Sequence, residues 1–303
     1  MPNRLAGSVW KRRMKAKDKI RVFRSNDVMT AAKRQMVGVL SGDHRAAALQ
    51  AVVELVVPEV SSILDLGCGI GALAFRLAEQ FPSTMIVGLD VSHELLRELR
   101  RTRLKPNILP VQGEAPPVPF KPGTFDLIIA VQVLHEILHF KGRTELIRTL
   151  AYVHQLLRAG GEFIVLEHQN PGDTPISVHL PSAQLETLRK FQQRFAVRSM
   201  VYEETDGGWV RMSLRDFYDF VTKIWALDTP LEDEEMRETH TPFTPQEFSR
   251  LVRRAGFEII HLTSITPIDS HLTHYQIRVQ SPVQLPPRHL LLRARKNSGR
   301  CQR

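Results

Sequence analysis

Ile63-Leu64-Asp65-Leu66-Gly67-Cys68-Gly69-Ile70-Gly71-Ala72 reads as an apolar strand ending in an acid, a glycine-rich turn, and the start of an amphipathic helix running toward Phe81. A second apolar run, Ile86-Val87-Gly88-Leu89-Asp90, also ends in an acid. Together they are how a chain builds a site for a nucleoside-bearing cofactor. The glycines let the backbone turn sharply and approach a ligand closely. The helix that follows aims its free N–H groups at that ligand. Asp90, at the end of the second strand, can accept from both ribose hydroxyls.

Two nucleosides fit this frame. Gly67, Gly69 and Ala72 satisfy the dinucleotide pattern G-x-G-x-x-G/A, and Asp90 suits its ribose acid. Three further features point elsewhere. Asp65 stands two residues before the first glycine, where it repels a pyrophosphate and welcomes an ammonium. Gly71 extends the pattern to Asp-x-Gly-x-Gly-x-Gly. Downstream come Gly113-Glu114-Ala115, Pro119-Phe120 and the apolar run Phe125-Asp126-Leu127-Ile128-Ile129-Ala130. In combination the series resembles the class I S-adenosylmethionine-dependent methyltransferases, in particular their small-molecule, type 11/25 branch. The resemblance covers residues 45–168 and resumes over 244–296.

The resemblance implies a Rossmann-like, doubly wound α/β sheet of order 3-2-1-4-5-7-6 with an antiparallel last strand, and S-adenosylmethionine as cofactor. It implies that Asp65 and the turn Gly67-Cys68-Gly69 face the aminoacid end of the cofactor. Asp90, with Val91 beside it, would hold the ribose. Glu114 and Ala115 would meet the adenine, and Gln132 would lie near the sulfonium. The family usually has aspartate where this chain has Glu114. Asp65 also reads as a cap on the following turn, and Glu114 as a solvated loop acid.

Composition narrows the setting. The chain has 303 residues, and 43% of them are hydrophobic, which supports a large core with an appendage or insertion. No apolar run reaches the roughly 18 residues of a membrane span, and no signal-peptide pattern appears. The two cysteines, Cys68 and Cys301, do not make a disulfide framework, so a reducing, cytoplasmic setting is expected. The net charge of +9 is uneven: residues 1–36 hold eleven Lys/Arg against two Asp, and residues 288–303 hold six Lys/Arg and no acid. The body between them is mildly acidic. The basic arm reads as a solvated tail, a grip on RNA or a ribosome, a holder of an anionic substrate, or a targeting segment. Asp18, Asp27 and the scarcity of serine argue against targeting.

Strand and helix signals alternate from residue 44, as a parallel sheet covered on both faces requires. Strands are expected near 62–66, 85–90, 108–112, 125–131 and 162–167, and helices near 44–57, 71–80, 93–103 and 142–157. The expected organisation is a basic extension (1–36), a cofactor-binding core (37–168), a helical insertion over the substrate (169–243), completion of the sheet (244–296) and a basic tail (297–303). In the insertion, Leu185, Leu188, Phe191 and Phe195 share a helical face, as do Leu214, Phe217, Val221, Ile224 and Trp225. Its rings could hold a planar ligand or pack the insertion onto the sheet. Leu231-Glu232-Asp233-Glu234-Glu235 reads as a solvated helix start. Thr244-Pro245-Gln246-Glu247 reads as a capping box with proline at the first helical position.

Methyl transfer from a sulfonium is an in-line displacement, so the protein must align the acceptor and take its proton where it has one. His135, just past the fourth strand, and His168, at the end of the fifth, are the candidate bases. His135-Glu136-Ile137-Leu138-His139 also matches the zinc-protease pattern H-E-x-x-H, with Glu136 as its base. Lys141-Gly142 interrupts any helix there and no third ligand follows at the expected spacing, so no metal is expected. An Asn/Asp-Pro-Pro-Tyr/Phe motif, an acidic magnesium triad and paired metal-ligand cysteines are all absent. The expected activity is methyl transfer to a small organic acceptor, at oxygen ahead of nitrogen or carbon. The alternatives are an RNA- or ribosome-directed methyltransferase gripping through the basic ends, and a cofactor-binding accessory subunit without chemistry. Oligomeric state has no signal in the sequence.

Overall fold

The computed structural model describes residues 42–102, 104–116, 120–280 and 284–297. The basic arm, Pro119 and Cys301 lie outside the described residues, as does the tail beyond residue 297. The core begins with α1 (Gly42–Glu54), β1 (Ser62–Leu66), α2 (Ala72–Gln80), β2 (Met85–Asp90), α3 (His93–Thr102) and β3 (Ile108–Gln112). It continues with β4 (Phe125–Val131), α4 (Leu134–Lys141), α5 (Arg143–Leu156) and β5 (Leu157–His168). The insertion holds β6 (Pro175–His179), α6 (Ser182–Arg194), β7 (Tyr202–Thr205), β8 (Trp209–Ser213), α7 (Leu214–Lys223) and α8 (Glu232–Glu235). The chain then adds α9 (Pro245–Arg254), β9 (Phe257–Ile265), α10 (Asp269–His274), β10 (Arg278–Val279) and β11 (His289–Lys296).

The main sheet has seven strands in the order β3-β2-β1-β4-β5-β11-β9. β1 to β5 pair in parallel, and β11 lies antiparallel between β5 and β9. This is the expected order 3-2-1-4-5-7-6. Alternate residues of each strand feed opposite faces. Ile63, Ile86, Leu127, Ile129 and Ile164 join the core with the α1–α3 helices, while Leu64, Val87, Ile128, Phe163 and Val165 join the core with α4, α5 and α9. Ala159-Gly160-Gly161 lies inside β5 as a register shift against β4, instead of being a turn before it. α9 carries the expected capping box, Thr244 with Glu247, and Pro245 at its start.

The insertion departs from the helical expectation. Its helices form, but β6, β7, β8 and the distant β10 make a second, four-stranded sheet in the order β10-β6-β8-β7. The reason is local. Val210 and Met212 alternate with exposed Arg211 along β8, and Asp206-Gly207-Gly208 turns β7 into it with both glycines at positive φ. Phe191, Phe217, Tyr218 and Phe220 are buried together in a third core that belongs to the insertion and its neighbours. Those rings therefore hold the insertion together instead of lining a ligand surface. α8 also departs from a solvated start: Glu232 pairs with Arg194, and Glu235 with the buried Lys223. No helix among the described residues is long and apolar enough to cross a membrane.

Candidate active site at the carboxyl edge of the sheet

The parallel strands β1, β2, β4 and β5 end on one edge, and strand order reverses between β1 and β4. Open α/β sheets bind ligands in the crevice at that point. The glycine turn sits there. Gly67 and Cys68 donate backbone N–H bonds to Leu89 O at 2.8 and 3.0 Å, which ties the turn to β2. Gly67 has φ +72°, and a Cβ there would lie 2.6 Å from a Val133 methyl. Gly69 has φ +56° with no heavy atom within 4 Å of where its Cβ would be, so its backbone borders open space. Asp90 Oδ2 accepts the Gly69 N–H at 2.8 Å, and Oδ1 accepts the Ser92 N–H at 2.8 Å. Asp90 thus shapes the turn.

Asp65 is 1% exposed at the end of β1. Burial, and then the charge of Asp90, push its carboxyl up to about 7, against a smaller opposing effect of the Ala74 N–H at the start of α2. Asp65 Oδ2 is buried and has no hydrogen-bond partner. An oxygen in that state is costly unless a donor meets it. Burial also pushes the Cys68 thiol up, aided by Asp65 and Asp90, so it stays a thiol. Val91 is exposed, and its carbonyl accepts from Gln112 Nε2 at 3.2 Å. Glu114 is exposed and forms an ion pair with Lys141 of α4. Ala115 is buried, with its carbonyl 3.4 Å from Thr149 Oγ1.

A second set of polar groups lies where β4, β5 and β11 meet the insertion. Glu167 is fully buried and saturated. Its Oε1 accepts from His135 Nδ1 and the His168 N–H, both at 2.7 Å, and its Oε2 accepts from the Leu134 and His135 N–H groups at 2.9 and 3.1 Å. Burial pulls the His135 imidazole down, but the Glu167 carboxylate and its hydrogen bond outweigh this and hold it at about 9. Gln132 sits at φ +51°, a costly conformation for a side-chain-bearing residue. Its amide nitrogen lies 2.9 Å from His289 Nε2 and 3.5 Å from His168 Nε2. His289 Nδ1 is 2.9 Å from Thr266 Oγ1, so with Gln132 donating, His289 accepts at Nε2 and donates at Nδ1.

The insertion completes this set with His240. The rings of His168 and His240 stack with centroids 4.1 Å apart and planes 12° apart. Burial first, then neighbouring positive groups, hold both imidazoles well below the ordinary histidine range. His240 is fixed by the buried Asp219, which accepts its N–H at 2.6 Å as well as the Thr239 and Thr241 hydroxyls. Lys223, fully buried, lies 2.7 Å from Glu235 and 3.5 Å from Glu238. Burial, and to a lesser extent the nearby Glu235, push the Glu238 carboxyl up to about 8 against the pull of Lys223.

The structure thus brings Asp65, Gly67, Cys68, Gly69 and Asp90 together at one turn, and His135, His168 and Gln132 together at a second centre on the same edge. Glu114 turns to α4, and Val91 is at the surface. Sequence reasoning did not find Glu167, Lys223, Glu238, His240 or His289. No short-range pattern marks them, because four separated segments converge only in the fold. H-E-x-x-H lies on a short helix, α4, which ends at Lys141 with Gly142 as its cap, the interruption that was expected. Its first histidine points into the buried centre through Glu167, while Glu136 is exposed and His139 packs edge-on against Phe140 at 5.2 Å.

Residues 63–161 match a protein family described as a methyltransferase domain. A demethylmenaquinone methyltransferase of Lactococcus lactis is 29% identical over 166 residues, covering 53% of this chain and 61% of that protein. A malonyl-[acyl-carrier protein] O-methyltransferase of Geobacter sulfurreducens is 34% identical over 107 residues, covering 35% of this chain and 38% of that protein. The chain therefore spans less than two thirds of the length of these relatives. A solved S-adenosylmethionine-dependent methyltransferase of Mesorhizobium loti aligns over 85% of this chain and all of its own, with a TM-score of 0.54 at 19% identity, a likeness of fold. The strand order and the glycine turn agree with these matches: the chain has the fold of the class I S-adenosylmethionine-dependent methyltransferases, and its residues 63–161 match a methyltransferase domain.

Proposed function

We propose that the protein moves a methyl group from S-adenosylmethionine to a small organic acceptor held between the carboxyl edge of the sheet and the insertion. The observation that carries this reading is Asp65, whose buried, partnerless oxygen beside the glycine turn suits the ammonium of the cofactor's aminoacid end. Asp90, at the end of β2, stands where the ribose acid of such a site belongs, and the open side of Gly69 lets the backbone approach. In this reading Ala115 meets the adenine through its backbone, and Gln132, beside His168 and His289, lies near the sulfonium. The bound cofactor supplies an electrophilic methyl on a sulfonium. The chain's own work is to align the acceptor, exclude water and handle its proton; His168, held neutral, is the group that can take that proton, and His135, held charged by Glu167, lies beside it. The insertion (169–243) acts as the lid, contributing His240 to the same centre. The two relatives' names point to different acceptors, so the preference for oxygen rests on the imidazoles alone.

Calorimetry of the purified chain with S-adenosylmethionine and, separately, NAD tests the reading. Binding of the first only, weakened in Asp90→Ala, is expected. Binding of NAD, or of neither, overturns it.

A further inference from the structure

The densest set of ligating side chains outside the glycine turn lies where core and insertion meet. His135 comes from the first turn of α4, His168 from the end of β5, and His240 from the segment leaving the insertion. One ligand atom of each lies within 4.8 Å of the other two. We propose that these three imidazoles bind one divalent transition-metal ion of the zinc class.

The ligand chemistry selects the ion. Imidazole nitrogens suit zinc, cobalt, nickel and iron(II), whereas magnesium and calcium want oxygen. The surroundings are those of a metal site. Glu167 takes His135 Nδ1 at 2.7 Å, which fixes the ring and leaves Nε2 as the available donor. A carboxylate behind a ligating histidine is the usual means of orienting it. His240 is held differently: its backbone N–H is on Asp219, and its ring Nδ1 is 3.1 Å from Thr222 Oγ1, which again leaves Nε2. Glu235 and Glu238 form a second grouping with His240 within the same limit, but both face the buried Lys223, at 2.7 and 3.5 Å. His139 is not part of either grouping. The site is therefore not that of a zinc protease, although it takes the first histidine of that motif.

Coordination requires one movement. A ligand nitrogen sits about 2.0–2.1 Å from zinc, with the ion close to the ring plane. Two rings stacked 4.1 Å apart and nearly parallel do not both meet that condition. Binding must turn His168 or His240 out of the stack. Three histidines also leave the ion an open position. An acceptor heteroatom bound there would lose its proton more readily. That consequence rests on the methyl-transfer reading; the metal site does not. A metal site here departs from the metal-free expectation, since its three ligands are spread over more than a hundred residues of the chain.

The test uses the full chain without an affinity tag, stripped with a chelator. Zinc is titrated by calorimetry, and cobalt by visible absorption. One equivalent of zinc and intense visible cobalt bands are expected. His240→Ala and His168→Ala should each weaken zinc at least about 100-fold, and Glu167→Gln about 10- to 100-fold. His139→Ala should leave zinc binding unchanged. S-adenosylmethionine binding, measured on every variant, confirms folding separately. If His240→Ala does not fold, Glu167→Gln and His168→Ala carry the comparison. No stoichiometric zinc in a wild-type chain that binds S-adenosylmethionine overturns the metal site and leaves the cofactor reading standing. Zinc binding that survives His240→Ala, or is lost in His139→Ala, overturns it as well. Zinc binding without S-adenosylmethionine binding supports the site and sinks the methyl-transfer reading.

Discussion

Asp65 and Asp126 are buried carboxylates on neighbouring strands at opposite edges of one sheet, and they are treated in opposite ways. Asp126, at the start of β4, accepts from Ser61 N, Ser61 Oγ and Ser62 N at 2.7, 2.6 and 3.0 Å, and pairs with Arg158 at 2.8 Å. Burial raises its carboxyl, but those hydrogen bonds and the guanidinium outweigh it, and the group ends below its ordinary value. Asp65, at the end of β1, keeps an oxygen with no partner and is pushed up to about 7. The amino edge is finished by its own residues. The carboxyl edge is left with polar capacity in hand, and unspent polar capacity in a buried place marks where a ligand belongs.

The largest effect is expected on the finished side. Asp126→Ala leaves the Ser61 and Ser62 N–H groups, the Ser61 hydroxyl and a guanidinium without their acceptor, and should cost about 2–4 kcal/mol in urea unfolding. S-adenosylmethionine affinity, measured on the folded variant, should stay within about twofold, because the two edges are separate sites. A large loss of affinity would break the comparison.

Asp90→Ala removes the acceptor that shapes Gly69 and the expected ribose contact together. A loss of roughly 100-fold in S-adenosylmethionine affinity is expected, about 2.8 kcal/mol. Calorimetry checks it. Stability should fall much less than in Asp126→Ala.

The pH dependence separates the two acids by sign. The folded value of Asp65 is raised, so the stability its neutral form contributes is present below its unfolded value and lost as pH rises through about 7. The folded value of Asp126 is lowered, so its contribution is present at neutral pH and lost as pH falls through that lowered value. An ammonium ligand favours ionised Asp65, so binding should release a proton below about pH 7. Affinity should climb with pH at up to about tenfold per unit below that point, then flatten. Asp65→Asn should abolish the slope and weaken binding. A flat profile in the wild type would mean that Asp65 does not meet the ammonium.

The smallest effect serves as the control. Thr244→Ala removes the side-chain cap of α9, whose hydroxyl accepts the Glu247 N–H at 3.2 Å, and should cost about 1 kcal/mol. Thermal unfolding should register it, and cofactor affinity should not.

Much of this architecture was legible in the chain. Strand positions and the capping box of α9 follow from local pattern, whereas the strand order came with the family resemblance. The glycine turn and its two acids were legible because they lie within a single β–turn–α–β stretch. The sheet of the insertion was only half hidden, since Asp206-Gly207-Gly208 between alternating runs is a hairpin signal that helical periodicity nearby obscured. The aromatic residues of α7 showed their amphipathic face but not what it packs against, and it packs within the insertion.

By itself, then, the sequence determined the glycine turn, the acids that end β1 and β2, and a parallel sheet covered on both faces. Each of these depends on residues close together in the chain, where backbone geometry and the period of two or 3.6 decide the outcome. Only the tertiary structure decided that His135, His168, His240 and His289 meet around Glu167 and Gln132, that Lys223 is buried between Glu235 and Glu238, and that Asp65 keeps an unpaired oxygen while Asp126 does not. Those facts depend on burial and on which distant groups share a low-dielectric space. That is fixed by how strands and insertion come together and leaves no local mark on the order of the residues.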